Sequence, residues 1–215
     1  MRATSTRRSR FLLRRRANSK TIMLQSLSLL NMTSESLRDC ISGLGSPDRT
    51  TRVHALESLN QLLRDKLGDS TLIPPLEHLL LDADDEVRRG SSWSLGKLAQ
   101  NKVHGDYPLD DLERLAADHD PEVRENAAWT LGELAGLKEG RPASITALNL
   151  LLNDDSAEVR GMAAWALGRL AERMRIADRT SIGMLEGLLK DKSAYVSKSA
   201  AWALERILNI INLAV

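Results

Sequence analysis

Apolar residues recur along this chain at the spacing of amphipathic helices. Four stretches carry leucine at matched positions with i, i+3 and i+4 spacing: "IPPLEHLLLD", "YPLDDLERLAAD", "ITALNLLLND" and "IGMLEGLLKD". Each is followed by a short polar break and then by a second apolar pattern, such as "ENAAWTLGELA". Asp, Ser and Pro in these breaks can cap or open a helix, and Glu in a first turn complements the helix dipole. The pattern predicts repeated helical hairpins, each with a first helix A and a second helix B.

The B helices repeat the same columns of residues with a period of about 36. A valine anchors each copy, at Val53, Val87, Val123, Val159 and Val196. Five residues earlier stands an aspartate, at Asp48, Asp82, Asp118, Asp154 and Asp191. The residue after the valine is Arg88, Arg124 or Arg160 in the middle copies, and His54 or Ser197 in the outer ones. Six residues after the valine stands Trp93, Trp129, Trp165 or Trp202, with Leu59 in the first copy. Nine residues after it stands Gly96, Gly132 or Gly168, replaced by Glu205 in the last copy.

The repeated unit resembles a known family. The pattern D-x-x-x-E-V-R-x-x-A-A-W-x-L-G-x-L-A is similar to the HEAT repeat, and specifically to the HEAT-like repeat of the phycobilisome (PBS) lyase type, over residues 82–208 and more weakly over 34–67. The resemblance implies an all-α, armadillo-like or HEAT-like α-solenoid of about five helical hairpins, a right-handed stack with the B helices on its concave side. Because unrelated functions share this repeat, the resemblance indicates the fold far more strongly than the function.

The repeats divide the chain into three predicted parts. Residues 1–20 hold seven Arg, one Lys and no acid, which predicts a basic disordered head or a targeting segment. Residues 21–33 are expected to form an N-terminal capping helix, and residues 34–215 the HEAT-like repeat domain. An organelle transit peptide, a basic tail and a true start at Met23 are all compatible with the head. A cytoplasmic location is expected, with organelle import as the alternative.

Charge and composition exclude several classes of function. The net charge is +1, but beyond residue 20 the chain has 22 basic and 29 acidic residues, a net charge of −7. A mildly acidic repeat domain disfavours general nucleic-acid binding. Apolar runs are too short to approach the ~18 residues of a membrane-spanning helix. The single cysteine, Cys40, fits a reducing compartment.

The Asp and Arg columns have a structural interpretation that comes from the resemblance. In HEAT proteins, an aspartate in the turn and an arginine early in helix B form a ladder of charged hydrogen bonds along the stack. Arginine and carboxylate suit this role because they pair through two parallel hydrogen bonds. The expected ladder residues are Asp82, Arg88, Asp118, Arg124, Asp154 and Arg160.

The tryptophan column falls on the polar side of helix B. At ~100° per residue, the repeated Val, Ala and Leu cluster on one face and the Trp lies almost opposite. The family resemblance makes that side the concave surface. We expect a stripe of four indoles that binds a protein or peptide, with Trp129 and Trp165 at its centre. The predicted partner-binding residues are Trp93, Trp129, Trp165, Trp202, Lys97, Glu133, Arg169, Arg206, Arg89 and Glu125.

The glycine column permits a second interpretation of the same tryptophans. Glycine inside a helix costs roughly 0.5–1 kcal/mol relative to alanine, so its recurrence needs a reason. Each glycine could let the tryptophan of the next repeat lie across the helix backbone. The indoles would then close the gaps between repeats. The two interpretations are compatible, because an indole can pack with one face and bind with the other.

Residues that support catalysis are sparse and do not repeat. His54, His78, His104 and His119 are never followed by Glu, the step that the repeat-built deoxyhypusine hydroxylases need, and no His–carboxylate pair keeps metal-ligand spacing between repeats. No phosphate-binding loop or nucleophile motif occurs. We therefore expect a non-catalytic scaffold without cofactor or metal. A phycobilin lyase-like chromophore-handling subunit and a nucleic-acid-binding HEAT protein are the alternatives.

The chain ends in an apolar helical pattern with no repeat after it. "ALERILNIINLAV" carries Ile207, Leu208, Ile210, Ile211 and Leu213. This end either turns back into the core or is covered by a partner or a second copy. An intermolecular contact is favoured, so self-association through the C-terminal end is expected.

Overall fold

The structure, a computed structural model, describes residues 34–213, with side chains up to residue 211. All regular elements in that range are helical: α1 (34–44), α2 (Arg49–Arg64), α3 (Ile73–Leu79), α4 (Asp85–Gln100), α5 (Leu109–Arg114), α6 (Pro121–Ala135), α7 (Pro142–Leu151), α8 (Ala157–Met174), α9 (Arg179–Leu188) and α10 (Ala194–Leu213). Short 3₁₀ turns at Ser70–Leu72 and Leu115–Ala117 precede α3 and extend α5. The predicted all-α solenoid is confirmed. The predicted head and capping helix lie outside the described residues.

The chain divides into two compact units, Met1–Asp39 and Cys40–Val215. In the first unit the described residues, 34–39, are helical. In the second unit the helices alternate between A and B roles, and each B helix from α2 to α10 contacts the next one. None of the helices in the described range is long and apolar enough to cross a membrane.

The B helices begin where their capping side chains stand. Asp84, Asp120 and Ser156 accept hydrogen bonds from backbone N–H groups in the first turns of α4, α6 and α8. Pro121 opens α6, where its fixed φ and missing N–H cost nothing. Removal of such a capping side chain lowers the free energy of unfolding by about 1 kcal/mol. The polar breaks in the sequence therefore set the helix boundaries.

Asp48 also caps a helix, which corrects the sequence alignment of the first repeat. It accepts from Thr51 N at the start of α2, so it corresponds to the cap Asp84 and not to Asp82. Thr51, not Val53, therefore matches Val87. The alignment on Val53 and His54 is wrong by two residues, because an Asp can serve either the turn or the cap.

The core lies between the A and B layers. The matched A-helix leucines Leu76, Leu112, Leu148 and Leu185 are all fully buried, as are the B-helix positions Leu59, Leu95, Leu131 and Leu167. Burial of one such side chain contributes about 1.5–3 kcal/mol. Because the same leucines recur in every repeat, each hairpin completes the core of its neighbours. This packing fixes which face of each B helix points outward.

Candidate functional site

Four tryptophans lie in one column on consecutive B helices, which we call the tryptophan face. Trp93 is on α4, Trp129 on α6, Trp165 on α8 and Trp202 on α10. All four side chains are half-buried. The Trp93 and Trp129 ring centroids are 6.3 Å apart, and their planes are tilted by 31°. The rings therefore form a row along the stack and keep part of their surface accessible.

The glycine column receives these rings. A Cβ added at Gly96 would lie 2.5 Å from Cζ3 of Trp129, and one at Gly132 would lie 2.4 Å from Cζ3 of Trp165. A Cβ at Gly168 would lie 2.2 Å from Trp202. Carbon atoms cannot approach so closely, so each indole lies across the backbone of the preceding B helix. Packing of the rings explains why glycine recurs at these positions. The accessible part of each ring can still contact a partner.

Cations lie over three of the four indoles. Arg169 is 5.4 Å from the Trp165 centroid, and Arg206 is 4.2 Å from that of Trp202. Lys97 lies 6.0 Å from the Trp93 centroid. Each of these three cations comes from the next turn of the same helix, whereas Arg64 of α2 lies 5.6 Å from the Trp93 centroid. Cation–π contacts of this kind contribute about 0.5–1 kcal/mol at exposed sites, and here they also hold the indole orientation.

Glu133 occupies the equivalent position beside Trp129, and its placement contradicts the predicted surface role. Its exposed fraction is 8%, and Arg169 Nη2 lies 3.6 Å from its Oε2. The Arg169 Nε also donates to the carbonyl oxygen of Gly132 at 3.3 Å. The helical wheel of α6 alone cannot anticipate this burial, because the covering side chain comes from α8. Glu133 is an internal partner of Arg169 and not a contact residue.

The two predicted rim residues have different environments. Arg89 forms ion pairs with Glu122 at 3.0 Å and with Asp85 at 3.5 Å. Burial raises the pKa of Glu125, and the neighbouring carboxylates Glu158 and Glu122 raise it further. The Arg89 charge is thus balanced inside the protein. Glu125 has no such cation and faces like charges.

Opposite charges along the inter-helix turns form a continuous ladder. The Arg88 Nε and Nη2 donate to the two oxygens of Asp118 at 2.7 and 3.0 Å, and its Nη1 donates to the Asp82 carbonyl at 2.8 Å. Each arginine therefore joins the turn of its own repeat to the carboxylate of the next repeat. Arg124 and Arg160 make the same contacts with Asp154 and Asp191.

The ladder has one rung that the sequence alignment misses. Arg52 Nε lies 2.9 Å from Asp82 Oδ2, and its Nη1 donates to the carbonyl of Ser46 at 3.0 Å. The two-residue alignment error hid Arg52, because it put His54 in the arginine column. The first turn has Ser46 in place of the acceptor Asp, and the last repeat has Ser197 in place of the arginine. Among the residues that the structure describes, no rung of the ladder involves either serine side chain.

These rungs predict a loss of stability in acid. Burial alone would raise the pKa values of Asp118 and Asp154, but hydrogen bonds from Arg88 and Arg124 and from backbone N–H groups hold them below the ordinary value. Their stabilisation is thus complete above the unfolded pKa of ~3.9 and is lost as the pH falls through the lower folded values. We expect each to contribute a slope of up to about 1.4 kcal/mol per pH unit in urea denaturation below pH ~4.

Two asparagine variants check the origin of this acid dependence. Asp154→Asn should have a shallower dependence of unfolding free energy on pH than the parent. Asp106→Asn removes an exposed carboxyl outside the ladder and should leave the slope unchanged. Equal slopes in all three proteins would contradict the assignment to the ladder.

The C-terminal end of α10 is partly covered. Ile207 is buried, Leu208 is 39% exposed, and Ile210 and Ile211 are half-buried. The Leu213 side chain lies outside the described residues. The helix thus turns one apolar residue into the core and leaves others accessible. Self-association through this end stays a prediction, which the molecular mass in solution measures directly.

Groups that could perform chemistry remain scattered in the fold. Within residues 34–211, no three His, Cys, Asp or Glu side chains are arranged to hold a metal ion. Cys40 is buried, and His119 is exposed beside Asp118, with Nδ1 3.4 Å from Oδ1. The tryptophan face and the charged ladder, in contrast, recur from one repeat to the next.

Comparison with known families identifies the repeat. Residues 121–170 match the family model of the HEAT-like repeat, and residues 72–102 match that of the HEAT repeat. The predicted HEAT repeats are confirmed, whereas the PBS lyase subtype is not. No curated protein sequence matches the chain significantly.

Solved solenoid structures share the fold. Computationally designed armadillo repeat proteins for modular peptide recognition are 25% identical, with a TM-score of 0.63 over 79% of this chain and 81% of that chain. A designed armadillo repeat protein in complex with the peptide (KR)4 is 24% identical, with a TM-score of 0.63 over 82% of this chain and 88% of that one. An engineered protein is 23% identical, with a TM-score of 0.63 over 80% and 78%.

Proposed function

We propose that this HEAT-repeat protein is a non-catalytic scaffold that binds a protein or peptide along its tryptophan face. By the family resemblance, the B helices line the concave side, where an extended ligand can contact several repeats at once. The designed armadillo proteins made for peptide recognition, at 25% identity, support a repeat scaffold of this kind. The observation that carries the proposal is the row of half-buried indoles on consecutive helices.

The indoles are suited to binding because they are held in place before a ligand arrives. Trp129 and Trp165 pack on the glycines of the preceding helices, and Arg169 lies over Trp165. A side chain that is already immobile loses little conformational entropy on binding, which favours affinity. Tryptophan and arginine are also the residues most enriched among the energetically dominant contacts of interfaces. The accessible edges of Trp93 and Trp202 extend the same surface toward both ends.

The charged residues beside the row have separate roles in this proposal. Lys97 and Arg206 orient their tryptophans and remain partly accessible to acidic or carbonyl groups of a partner. Glu125 and Arg89 form the rim at the start of the B helices. Arg169 is shared with Glu133, so it contributes mainly by fixing the Trp165 ring. Specificity would thus come from Lys97, Arg206, Arg89 and Glu125.

The alternative functions have no particular support among the described contacts. On the tryptophan face, carboxylates pair with Arg89 and Arg169, so the positive charge is partly balanced, which disfavours nucleic acid. A chromophore-handling subunit would need contacts that the described residues do not single out. The peptide-binding scaffold therefore remains the function that the geometry supports best.

A peptide selection tests this proposal. A displayed library of random peptides without Trp or Tyr would be selected on the full chain, and the enriched peptides would be titrated by tryptophan fluorescence. Because all four tryptophans of the chain lie on this face, binding there should change the emission. We expect Trp129→Leu/Trp165→Leu to weaken binding at least about thirtyfold, as loss of dominant aromatic contacts does.

The matched control lies on an A helix. Leu150→Ser changes an exposed leucine of α7 and should leave both affinity and emission change intact. Leucine at the tryptophan positions keeps an apolar group over the glycines, and circular dichroism and melting would verify folding of each variant. Selected peptides that bind the double variant as tightly as the parent, or that leave the emission unchanged, would contradict the tryptophan face as the binding surface.

A further inference from the structure

Each of the B helices α2, α4, α6 and α8 is followed by a basic residue in the left-handed conformation. Lys66, Lys102, Lys138 and Arg175 have φ values of 60°, 66°, 67° and 61°. Lys66, Lys102 and Lys138 occupy the same position in successive repeats, Arg175 lies one residue later, and all four are exposed. Within residues 34–213, no other non-glycine residue has a positive φ. We call these four residues the αL basic row.

The local backbone explains the conformation but not the residue type. The N–H of Val103 donates to the Leu98 carbonyl at 3.0 Å, and that of Glu139 donates to the Leu134 carbonyl at 3.0 Å, which closes each helix with a left-handed residue. Glycine is the usual choice there, because a Cβ is strained at positive φ. Lysine or arginine stands there four times out of four. A repeated, strained choice suggests a role for the side chain.

The side chains of the row are available for a ligand. Most arginines of this surface have carboxylate partners, as Arg88 and Arg89 do. In contrast, within the part of the chain that the structure describes, no side-chain hydrogen bond or ion pair involves any of the four. Asp65 precedes Lys66 and Glu139 follows Lys138, so the charge of the row is only partly offset. The row is an exposed line of positive charge.

The spacing of the row fits an extended peptide. Packed helices lie ~8–10 Å apart, and each of these B helices contacts the next. A polyproline-type chain has three residues per turn and rises ~3.1 Å per residue, so every third side chain points the same way at intervals of ~9 Å. Acidic side chains at every third position would therefore meet successive members of the row.

We propose that the αL basic row binds an extended acidic segment of a protein partner, with carboxylates at every third residue. This inference rests on the proposed function only in taking the partner to be a protein. The bond at each position joins an ammonium or guanidinium N–H to a carboxylate oxygen. Each contact is exposed and individually weak, and the four in register give the site its preference.

Glycine variants separate this role from helix capping. Basic residues near a helix C-terminus also interact favourably with the helix dipole, which is the competing explanation. Lys102→Gly/Lys138→Gly supplies the residue that best tolerates positive φ, so relief of strain opposes loss of the dipole interaction and the protein stays folded. The same change removes two charges from the centre of the row.

Fluorescence anisotropy of labelled peptides on the full chain tests the inference. The probe is (Glu-Pro-Pro)4, and a peptide of the same composition with its four glutamates contiguous is the comparison. We expect the periodic peptide to bind about tenfold more tightly than the contiguous one, and Lys102→Gly/Lys138→Gly to bind it about tenfold more weakly than the parent does. Added salt should weaken the binding.

The control variant removes two other exposed charges. Arg179→Gln/Lys190→Gln on and beside α9 changes the net charge equally and should bind as the parent does. Equal binding of both peptides, or an unchanged affinity in the glycine variant, would overturn the inference. If single-stranded oligothymidine binds the chain more tightly than the periodic peptide does, and this binding is lost in the glycine variant, the row would be reassigned to nucleic acid. Binding at the tryptophan face is measured with the selected peptides and binding at the αL basic row with the glutamate peptides. A negative result for one surface therefore does not affect the result for the other.

Discussion

Replacement of Arg88 by alanine is expected to lower the free energy of unfolding by about 3 kcal/mol. The Arg88 and Asp118 side chains are 9% and 8% exposed, so the variant leaves a buried carboxylate without its cation. It also removes the donor to the Asp82 carbonyl. The variant would therefore lose the ladder rung between the second and third repeats. Urea denaturation followed by circular dichroism measures the change.

Two further variants separate the ladder from charge in general. Arg88→Lys keeps the charge but cannot bond both carboxylate oxygens in parallel, so an intermediate loss is expected. Arg114→Ala removes an arginine with 63% exposure that pairs with Asp111, and should cost about 0–1 kcal/mol. A loss for Arg88→Ala no larger than that for Arg114→Ala would show that the ladder contributes little.

The repeat period made most of the architecture predictable. Leucine columns such as Leu76 and Leu112 are fully buried, as the A-helix pattern predicts. The glycine column anticipates the rings that lie over Gly96, Gly132 and Gly168. These features depend on contacts between equivalent positions of adjacent repeats. A period visible in one sequence therefore carries information about them.

Features that depend on three-dimensional detail were less accessible. Asp48 is a helix cap and not a turn acceptor, because the distinction depends on two residues of loop length that the letters alone do not fix. The burial of Glu133 depends on Arg169 from another helix. The lysines at 66, 102 and 138 recur with the period, but only the backbone reveals their left-handed conformation.

The charged ladder, the tryptophan face and the αL basic row differ in how they join adjacent repeats. The ladder links Arg88 to Asp118 on the edge formed by the turns, and the Trp–Gly contacts link Gly132 to Trp165 on the outward side of the B helices. Both connect one repeat to the next, so each stabilises a neighbouring interface and not an isolated hairpin. The αL basic row contributes no such link. Its recurrence in successive repeats is therefore not explained by contacts between repeats, whereas the recurrence of the ladder is.

Gly132→Ala is expected to destabilise the protein by about 1–2 kcal/mol, although alanine is the better helix former. The new Cβ would lie 2.4 Å from Cζ3 of Trp165 and 3.2 Å from the Cα of Ala166, so both the ring and α8 would have to shift. Such overpacking costs about 1–3 kcal/mol, which exceeds the gain of about 0.5–1 kcal/mol in helix propensity. The melting temperature should fall by about 2–8 °C.

A control variant and a coupled variant are expected to change the stability in a different direction from Gly132→Ala. Gly187 on α9 has no atom within 4 Å of an added Cβ, so Gly187→Ala should stabilise the protein by about 0.5–1 kcal/mol. In a Trp165→Leu background, Gly132→Ala should cost little or become stabilising, because the obstructing ring is gone. If Gly132→Ala instead stabilises the parent as Gly187→Ala does, the indole does not lie across the helix. The accessible surface of the tryptophan face would then differ from the one on which peptide binding is proposed.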